Sequence, residues 1–205
     1  MDYKNFIIRS LTSFVLFFLY AFFLYTNQNL ILFLIVTFYV FVLFEIVINF
    51  TKIYIPFVYV TLSMIAFIIY FTLYFDYIHF NFLLLIIISF DVFSYFCGSI
   101  FGKNKIFEKI SPNKTYEGLI LGFILSNICS LIYILYFLEI SILNLLFINL
   151  IICFSFLGDL IESYFKRLSN LKNSSSIIPG HGGFFDRIDS FIFSIYILLL
   201  FSIFQ

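Results

Sequence analysis

Residues 141–165 read SILNLLFINLIICFSFLGDLIESYF, and Lys166 and Arg167 follow directly. A helix that crosses a bilayer needs about 20 predominantly apolar residues, and this stretch is long enough. Its ionisable residues, Asp159 and Glu162, lie close to its basic end. Ionisable groups inside a membrane are costly and point to function. The stretch therefore predicts a transmembrane helix with a polar, functional end.

The composition of the whole chain agrees with this reading. Of its 205 residues, 63% are hydrophobic and only 11% are charged. A soluble domain has about 25% charged residues, so this chain has too little polar surface for a water-soluble globule. We expect an all-α, polytopic membrane protein that lies in the bilayer and has no nucleic-acid partner.

Breaks at polar clusters divide the chain into about seven candidate spans. They lie near residues 8–25, 30–50, 54–75, 80–100, 117–138, 141–165 and 188–204. The longest separators are a basic loop at 101–116 and a Gly- and Ser-rich loop at 166–187. We predict a three-span N-terminal scaffold over 1–80 and a four-span catalytic part over 81–205 that carries both loops.

The distribution of lysine and arginine predicts the orientation, because basic loops stay on the cytoplasmic side. With seven spans and a cytoplasmic N-terminus, all 11 basic residues fall inside. The outer loops then hold Asp76, His79 and Glu139. We expect a multi-pass protein of the cell (inner) membrane whose loops 101–116 and 166–187 face the cytoplasm.

The end of the sixth predicted span carries one polar helix face. Asp159, Glu162, Ser163, Lys166 and Arg167 follow the spacing i, i+3, i+4, i+7 and i+8. Such a stripe is poorly explained by contact with lipid. The alternative is a juxtamembrane cluster whose long side chains reach the interface, with one polar contact between helices.

The second loop ends in PGHGGFFDRIDS, which leads into the last span. Gly182 and Gly183 let backbone N–H groups approach an anion closely. Asp186 and Asp189 are three residues apart at a helix start, where their carboxylates repel unless a cation lies between them, and hard oxygen ligands suit Mg²⁺. For Asp189 the alternative is a simple preference for a helix N-terminus, and for His181 it is a turn.

The fourth span has a second polar face, on which Asp91, Tyr95 and Gly98 share one side. The glycines of G-x-x-x-G pairs, including Gly118, allow close helix packing in lipid. Lys114 precedes the fifth span and Glu117 opens it, and an interfacial ion pair between them is the alternative to a role in the site.

Three segments together resemble the phosphatidate cytidylyltransferases. The family's pattern S-x-x-K-R, K-D and P-x-H-G-G-x-x-D-R-x-D is matched at Ser163, Lys166, Arg167, Lys172, Pro179, His181, Gly182, Gly183, Asp186, Arg187 and Asp189. The preceding Gly158, Asp159 and Glu162 also match. So do an S-P-x-K-T-x-E-G segment at 111–118 and a D-x-x-x-Y-x-x-G segment at 91–98. The resemblance covers roughly residues 85–205.

Two departures from the family pattern have consequences. Asn173 stands where the family has aspartate after the lysine, which predicts reduced activity if that carboxylate assists catalysis. The region before the fourth span is shorter than is usual, and we expect a trimmed scaffold with the active site retained.

The resemblance implies that CTP and phosphatidate are converted to CDP-diacylglycerol and pyrophosphate with Mg²⁺, a second metal ion being left open. It implies Asp159 and Asp186 as metal ligands. The catalytic cations would be Lys166, Arg167 and Lys172, with His181 in the catalytic set. The substrate-binding residues would be Lys114, Glu117, Ser163, Gly182, Gly183, Arg187, Asp189, Asp91 and Tyr95. A homodimer is among the open assembly states.

Three other functions remain open at this point. A related lipid or polyprenol kinase would use CTP as a phosphoryl donor and release CDP rather than pyrophosphate. A channel or transporter would place polar residues across the full bilayer depth, whereas the outer ends of the later spans are almost wholly apolar. An inactive homologue would retain the pattern without turnover.

Overall fold

The computed structural model describes residues 20–22, 28–175, 177 and 182–204. Its long helices are α1 (Gln28–Asn49), α2 (Tyr54–Leu73), α3 (Tyr77–Phe101), α4 (Tyr116–Phe137), α5 (Ile142–Leu168) and α6 (Phe185–Phe204). Two short strands, β1 (Lys105–Phe107) and β2 (Ser111–Thr115), connect α3 to α4. The protein is thus nearly all-α, as predicted.

All six of these helices are long and apolar enough to cross a membrane. They confirm six of the predicted spans, with ends shifted by a few residues. The span predicted near 8–25 lies outside the described residues except for the helical residues 20–22. Large apolar side chains are widely exposed, among them Phe33 (71%), Ile48 (74%) and Tyr136 (79%). A soluble protein rarely exposes such surface over its whole length, so we treat these helices as membrane-spanning.

The chain divides into two compact units. The first unit comprises the described residues before Ile69 together with those of Phe165–Ile188. The second unit comprises Ile69–Tyr164 and the described residues of Asp189–Gln205. The functional division predicted between residues 80 and 81 stays a prediction.

Close packing of α3 against α4 is the main feature of the second unit. A Cβ atom on Gly118 would lie 2.6 Å from Ser94 O and 2.9 Å from Gly98 Cα. A Cβ atom on Gly122 would lie 2.9 Å from the Cα of Ser94. The glycines therefore let two helix backbones approach each other, as small residues do in lipid, and the predicted packing role is confirmed.

The connection between α3 and α4 is an antiparallel hairpin rather than an irregular loop. Lys105 pairs with Thr115, and Phe107 pairs with Ser111. Thr115 then caps α4, because its hydroxyl oxygen accepts a hydrogen bond from Gly118 N at 3.2 Å. The hairpin thus brings the end of β2 directly onto the first turn of α4.

The opposite end of the second unit has its own helix cap. Asp76 precedes α3, and its carboxylate accepts hydrogen bonds from the backbone N–H groups of Ile78 and His79. The ring nitrogen Nδ1 of His79 lies 2.5 Å from the same carboxylate. Tyr133 of α4 donates to Ile78 O at 3.0 Å. These polar contacts fix the end of the unit that lies away from the hairpin.

In the first unit, α1 packs against α2 and against the start of α6. Tyr39 of α1 and Ser63 of α2 share a buried hydrogen bond of 2.6 Å. Aromatic contacts continue the packing, since the ring of Phe41 stacks on Phe184 at 4.8 Å between centroids. The end of α1 therefore lies beside the segment that leads into α6.

Candidate active site

The second unit contains a cavity of about 230 Å³ at the hairpin end of α3 and α4. It is lined by Phe90, Asp91, Ser94, Tyr95, Ser111, Asn113, Lys114, Thr115, Leu119, Phe156 and Asp159. These residues come from α3, β2, α4 and α5, so the glycine-mediated contact between α3 and α4 forms part of the wall. Four residues predicted for the site, Asp91, Tyr95, Lys114 and Asp159, meet here.

Lys114 is the cation of this cavity. Its Nζ lies 2.6 Å from Asp159 Oδ2 and 4.4 Å from the centroid of the Phe156 ring. The Lys114 and Asp159 side chains are only 20% and 28% exposed. An ion pair with this little exposure is screened less than one at the surface, and the ring face adds a further attraction for the ammonium group. The position of Lys114 is thus held by α5.

Asp91 and Tyr95 form the α3 side of the cavity. Ser190 of α6 donates a hydrogen bond to Asp91 Oδ2 at 3.3 Å. Tyr95, one turn further along α3, is 78% exposed. The cavity therefore has a carboxylate on one wall and an exposed aromatic ring beside it.

Three carboxylates lie close together on α5 and α6. Asp159, Glu162 and Asp189 each have an oxygen within 4.8 Å of an oxygen of the other two. Glu162 is fully buried, and Ser163 donates to Asp159 Oδ1 at 3.4 Å. Carboxylates at this separation repel one another unless a cation or a proton lies between them. Their hard oxygen atoms are the ligands that Mg²⁺ prefers.

Gly158 explains how α6 comes near enough to complete this acidic group. A Cβ atom on Gly158 would lie 2.6 Å from Asp189 O. Any larger residue would push the two helices apart at the level of the carboxylates. The small residue beside Asp159 therefore sets the distance between the two aspartates.

Glu117 supports the hairpin rather than the cavity. Its carboxylate accepts hydrogen bonds from Lys103 N at 3.1 Å and from the side-chain amide of Asn104 at 2.9 Å. Lys114, three residues earlier, pairs with Asp159 instead. Lys114 and Glu117 therefore do not form the ion pair that was the alternative to a role in the site.

In the first unit, α5 ends in a Schellman motif. Asn170 has a positive φ of 56°. Leu171 N donates to Lys166 O at 2.8 Å, and Asn170 N donates to Arg167 O at 3.0 Å, which is the bonding pattern of that motif. The Arg167 guanidinium also donates to Leu171 O at 2.9 Å. The chain therefore turns sharply after α5 and returns towards α6.

Asp186, in the first turn of α6, organises the returning segment. Its Oδ1 accepts from Lys166 Nζ at 2.7 Å, and both side chains are 12% exposed. Its Oδ2 accepts from Ser174 N at 3.1 Å and from Gly183 N at 2.9 Å. Gly182 has a φ of 85°, which a residue with a side chain rarely adopts. Gly182 and Gly183 thus fold the loop around the Asp186 carboxylate.

The model of the cytidylyltransferase family matches residues 2–204 of this sequence. The chain belongs to that family. Curated relatives of this cytidylyltransferase family member include "Phosphatidate cytidylyltransferase" proteins from three bacteria. The identity is 43% over 123 residues for Bacillus subtilis, 46% over 105 residues for Staphylococcus saprophyticus and 47% over 106 residues for Staphylococcus aureus.

These matches cover only part of either chain. The Bacillus match covers 57% of this cytidylyltransferase family member and 46% of the relative. The two Staphylococcus matches each cover 50% of this chain and 40% of the relative. The chain thus spans less than half the length of the curated relatives that it matches.

Three further residues predicted for the site are Lys172, His181 and Arg187. Lys172 and Arg187 are exposed in the first unit. His181 lies outside the described residues. Asp159 belongs to the second unit and Asp186 to the first. That both aspartates bind one metal ion therefore stays a prediction.

Glu45 of α1 is the polar residue whose importance the sequence pattern did not reveal. It is 1% exposed, and it accepts hydrogen bonds from the loop that Asp186 organises, for example from Ser175 Oγ at 2.6 Å. The sequence contained one signal for this role, a single carboxylate within an apolar span. A charged group inside a membrane is costly unless it has polar partners. Those partners lie about 130 residues further along the chain, beyond the reach of any local pattern.

Proposed function

We propose that this protein is a phosphatidate cytidylyltransferase that joins CTP to phosphatidate and forms CDP-diacylglycerol and pyrophosphate. The observation that carries the proposal is the cavity among apolar helices, which has Lys114 paired with Asp159 and the acidic group Asp159, Glu162 and Asp189 beside it. A polar pocket of this kind in a membrane-embedded bundle suits a substrate with an anionic head and apolar tails. The family and its curated relatives support the same reaction.

The reaction sets a clear electrostatic requirement. A phosphate oxygen of phosphatidate forms a bond to the α-phosphorus of CTP, and the bond from that phosphorus to the β-phosphate oxygen breaks. Pyrophosphate leaves with the bonding electron pair. Both reactants are polyanions, so catalysis depends on positive charge that is already in place where charge develops.

The acidic group would hold the divalent metal that the family implies. Asp159, Glu162 and Asp189 offer hard oxygen donors at a separation that a single cation can bridge. Asp186 is the other aspartate that the resemblance implies as a metal ligand. A bound Mg²⁺ would supply positive charge that offsets the charge of the triphosphate.

Lys114 would bind an anionic group of the substrate in the cavity that it lines. In the structure its ammonium group lies 2.6 Å from Asp159 Oδ2, so this positive charge is already held at the wall of the cavity. In the first unit, Lys166 of α5, Lys172 of the loop that follows and Arg187 of α6 would bind phosphates of the nucleotide.

The lipid would reach the cavity from the side. Tyr95 and Phe96 of α3 are 78% and 58% exposed, and Val92, one turn before Phe96, is 56% exposed. This apolar surface flanks the cavity, so acyl chains would stay against α3 while the phosphate enters. The lysine- and arginine-rich loops support a site on the cytoplasmic side of the inner membrane, because basic loops stay on that side.

Two radiolabelled forms of CTP test the reaction. Purified protein in detergent is given Mg²⁺, phosphatidate and CTP labelled at either the α- or the γ-phosphorus. We expect α-label in the lipid product and γ-label in pyrophosphate. Label transferred to lipid from the γ-position would indicate a kinase, and the absence of either transfer would overturn the proposal.

Two variants and a control test which residues belong to the active site. We expect Asp159→Asn to lower the turnover at least about a hundredfold, which is the size of effect expected when a preorganised charge is removed. Asp186→Asn tests the first unit in the same assay. Asp76→Asn, at the other end of the second unit, is the control and should retain activity. Equal turnover by Asp159→Asn and Asp76→Asn would exclude the cavity as the site.

A further inference from the structure

Glu45 is a buried carboxylate close to the end of α1. Its Oε1 accepts hydrogen bonds from Ser175 Oγ at 2.6 Å and from Phe184 N at 2.7 Å. Its Oε2 accepts from Ser174 Oγ at 3.0 Å and from Phe185 N at 3.0 Å. Both oxygen atoms are therefore engaged, and all four donors belong to one loop and the helix start that follows it.

Two of these donors are backbone groups at the beginning of α6. The first N–H groups of a helix have no partner within the helix, and the positive end of the helix dipole lies there. Glu45 supplies the acceptor for Phe184 and Phe185 from a different helix. An acidic side chain is suited to this position both as an acceptor and by its charge.

The same loop is held from a second point on α1. Asn49, one helical turn after Glu45, donates to Ser174 O at 2.9 Å. The Ser174 hydroxyl lies 3.0 Å from Glu45 Oε2 and 3.2 Å from Asp186 Oδ2, so it can donate to either carboxylate. Ser174 thus links the Glu45 contacts directly to Asp186.

Gly183 shows how closely the loop fits over Glu45. A Cβ atom on Gly183 would lie 2.6 Å from Glu45 Oε2 and would also overlap with the Ser174 hydroxyl. Gly183 N meanwhile donates to Asp186 Oδ2 at 2.9 Å. The loop backbone is therefore packed between two carboxylates and has no room to shift towards α1.

We propose that Glu45 is a positioning residue that holds Ser174 and Ser175 against the start of α6 at Phe184 and Phe185, in the arrangement in which Asp186 and Lys166 meet. The proposal rests on the proposed function for its catalytic consequence. It assigns a role in the site to α1, a helix that carries none of the site residues predicted from the sequence. It also requires a side chain that only accepts hydrogen bonds, because every partner of Glu45 is a donor.

Three variants test the proposal. Glu45→Gln keeps the size but turns one acceptor into a donor that faces N–H and O–H groups. Glu45→Asp keeps two acceptors on a shorter side chain. Tyr39→Phe, the control, removes the buried hydrogen bond to Ser63 from the same helix without touching the loop.

The first measurement is amide hydrogen exchange of the loop in detergent, which needs no activity. In Glu45→Gln we expect exchange at Phe184 and Phe185 to be about tenfold to a hundredfold faster, the range for losing hydrogen bonds to a charged group. Glu45→Asp should give an intermediate rate, and Tyr39→Phe should leave these amides unchanged. Unchanged exchange in Glu45→Gln would overturn the proposal.

The second measurement is steady-state kinetics. We expect Glu45→Gln to lower kcat at least about tenfold, with partial recovery in Glu45→Asp and wild-type kcat in Tyr39→Phe. Wild-type kcat in Glu45→Gln would overturn the positioning role. If the wild-type protein has no cytidylyltransferase activity, the proposed function fails, and the exchange experiment still decides the role of Glu45. Should Glu45→Gln not fold, Ser175→Ala removes one donor and undergoes the same exchange test.

Discussion

The contact between α3 and α4 leads to a graded prediction for its glycines. In Gly118→Ala the new Cβ would lie 2.6 Å from Ser94 O and 2.9 Å from Gly98 Cα. Ordinary contacts between such atoms need about 3.5 Å or more, and both atoms belong to backbone that cannot rotate away. The helices must separate by several tenths of an ångström. Overpacking of this kind costs about 1–3 kcal/mol.

Gly98→Ala is the matched control from the same interface. Its Cβ would lie 3.1 Å from Thr115 Oγ1 and 3.6 Å from Gly118 Cα. The closer of these atoms is a side-chain oxygen, and a small adjustment relieves the contact. Alanine also favours the helix by about 0.5–1 kcal/mol over glycine. We therefore expect the Gly98 variant to be nearly neutral.

Thermal unfolding in detergent distinguishes the two variants. For a protein of this size about 1 kcal/mol corresponds to about 2–4 °C in Tm, so a cost of about 1–3 kcal/mol in Gly118→Ala should lower Tm by about 2–12 °C. Activity should fall with it, because Ser94 of α3 and Thr115, which caps α4, line the cavity. Equal Tm values for the Gly118 and Gly98 variants would refute the packing argument.

Three further predictions concern the ends of the second unit. Thr115→Val removes the cap acceptor of Gly118 N and should lower stability by about 1 kcal/mol in thermal unfolding. Burial acts to raise the pKa of Asp76, but hydrogen bonds from His79 and nearby N–H groups lower the pKa below its ordinary value of 3.8. The stabilisation by this carboxylate is therefore complete above its ordinary pKa and is lost as the pH falls through the lowered value. The Tm difference between wild type and Asp76→Ala should persist at neutral pH and shrink below about pH 4. Glu162→Gln should weaken Mn²⁺ binding, followed by electron paramagnetic resonance, by at least about tenfold, and unchanged binding would exclude Glu162 as a ligand.

The spans could be predicted from the sequence because length and apolarity are local properties. The end of α5 was harder to place, since Lys166 and Arg167 look like the start of a loop. The structure continues the helix to Leu168, and the turn is made by Asn170 in the left-handed region. The hairpin was not predicted, because β2 reads SPNKT and contains residues that are uncommon in strands.

For the candidate site, too, only the features that depend on local spacing could be predicted from the sequence. The shared face of Asp159 and Glu162 follows from helical spacing within α5. Their approach to Asp189 depends on Gly158 and on the packing of α6, which no spacing rule contains. The partners of Glu45 are distant in sequence, so only a three-dimensional structure connects them. Local periodicity thus identified helix faces, and tertiary contacts decided which faces meet.

The turn between β1 and β2 offers a way to determine the sidedness of the membrane protein. Glu108 and Lys109 are exposed in this turn, between the paired residues Phe107 and Ser111. A short epitope inserted there should leave the fold intact, since exposed loop tips tolerate insertions. Antibody or protease would reach it from one face of a sealed vesicle only. Inside-out vesicles should present it, because the hairpin forms most of the basic loop 101–116 that we expect on the cytoplasmic side.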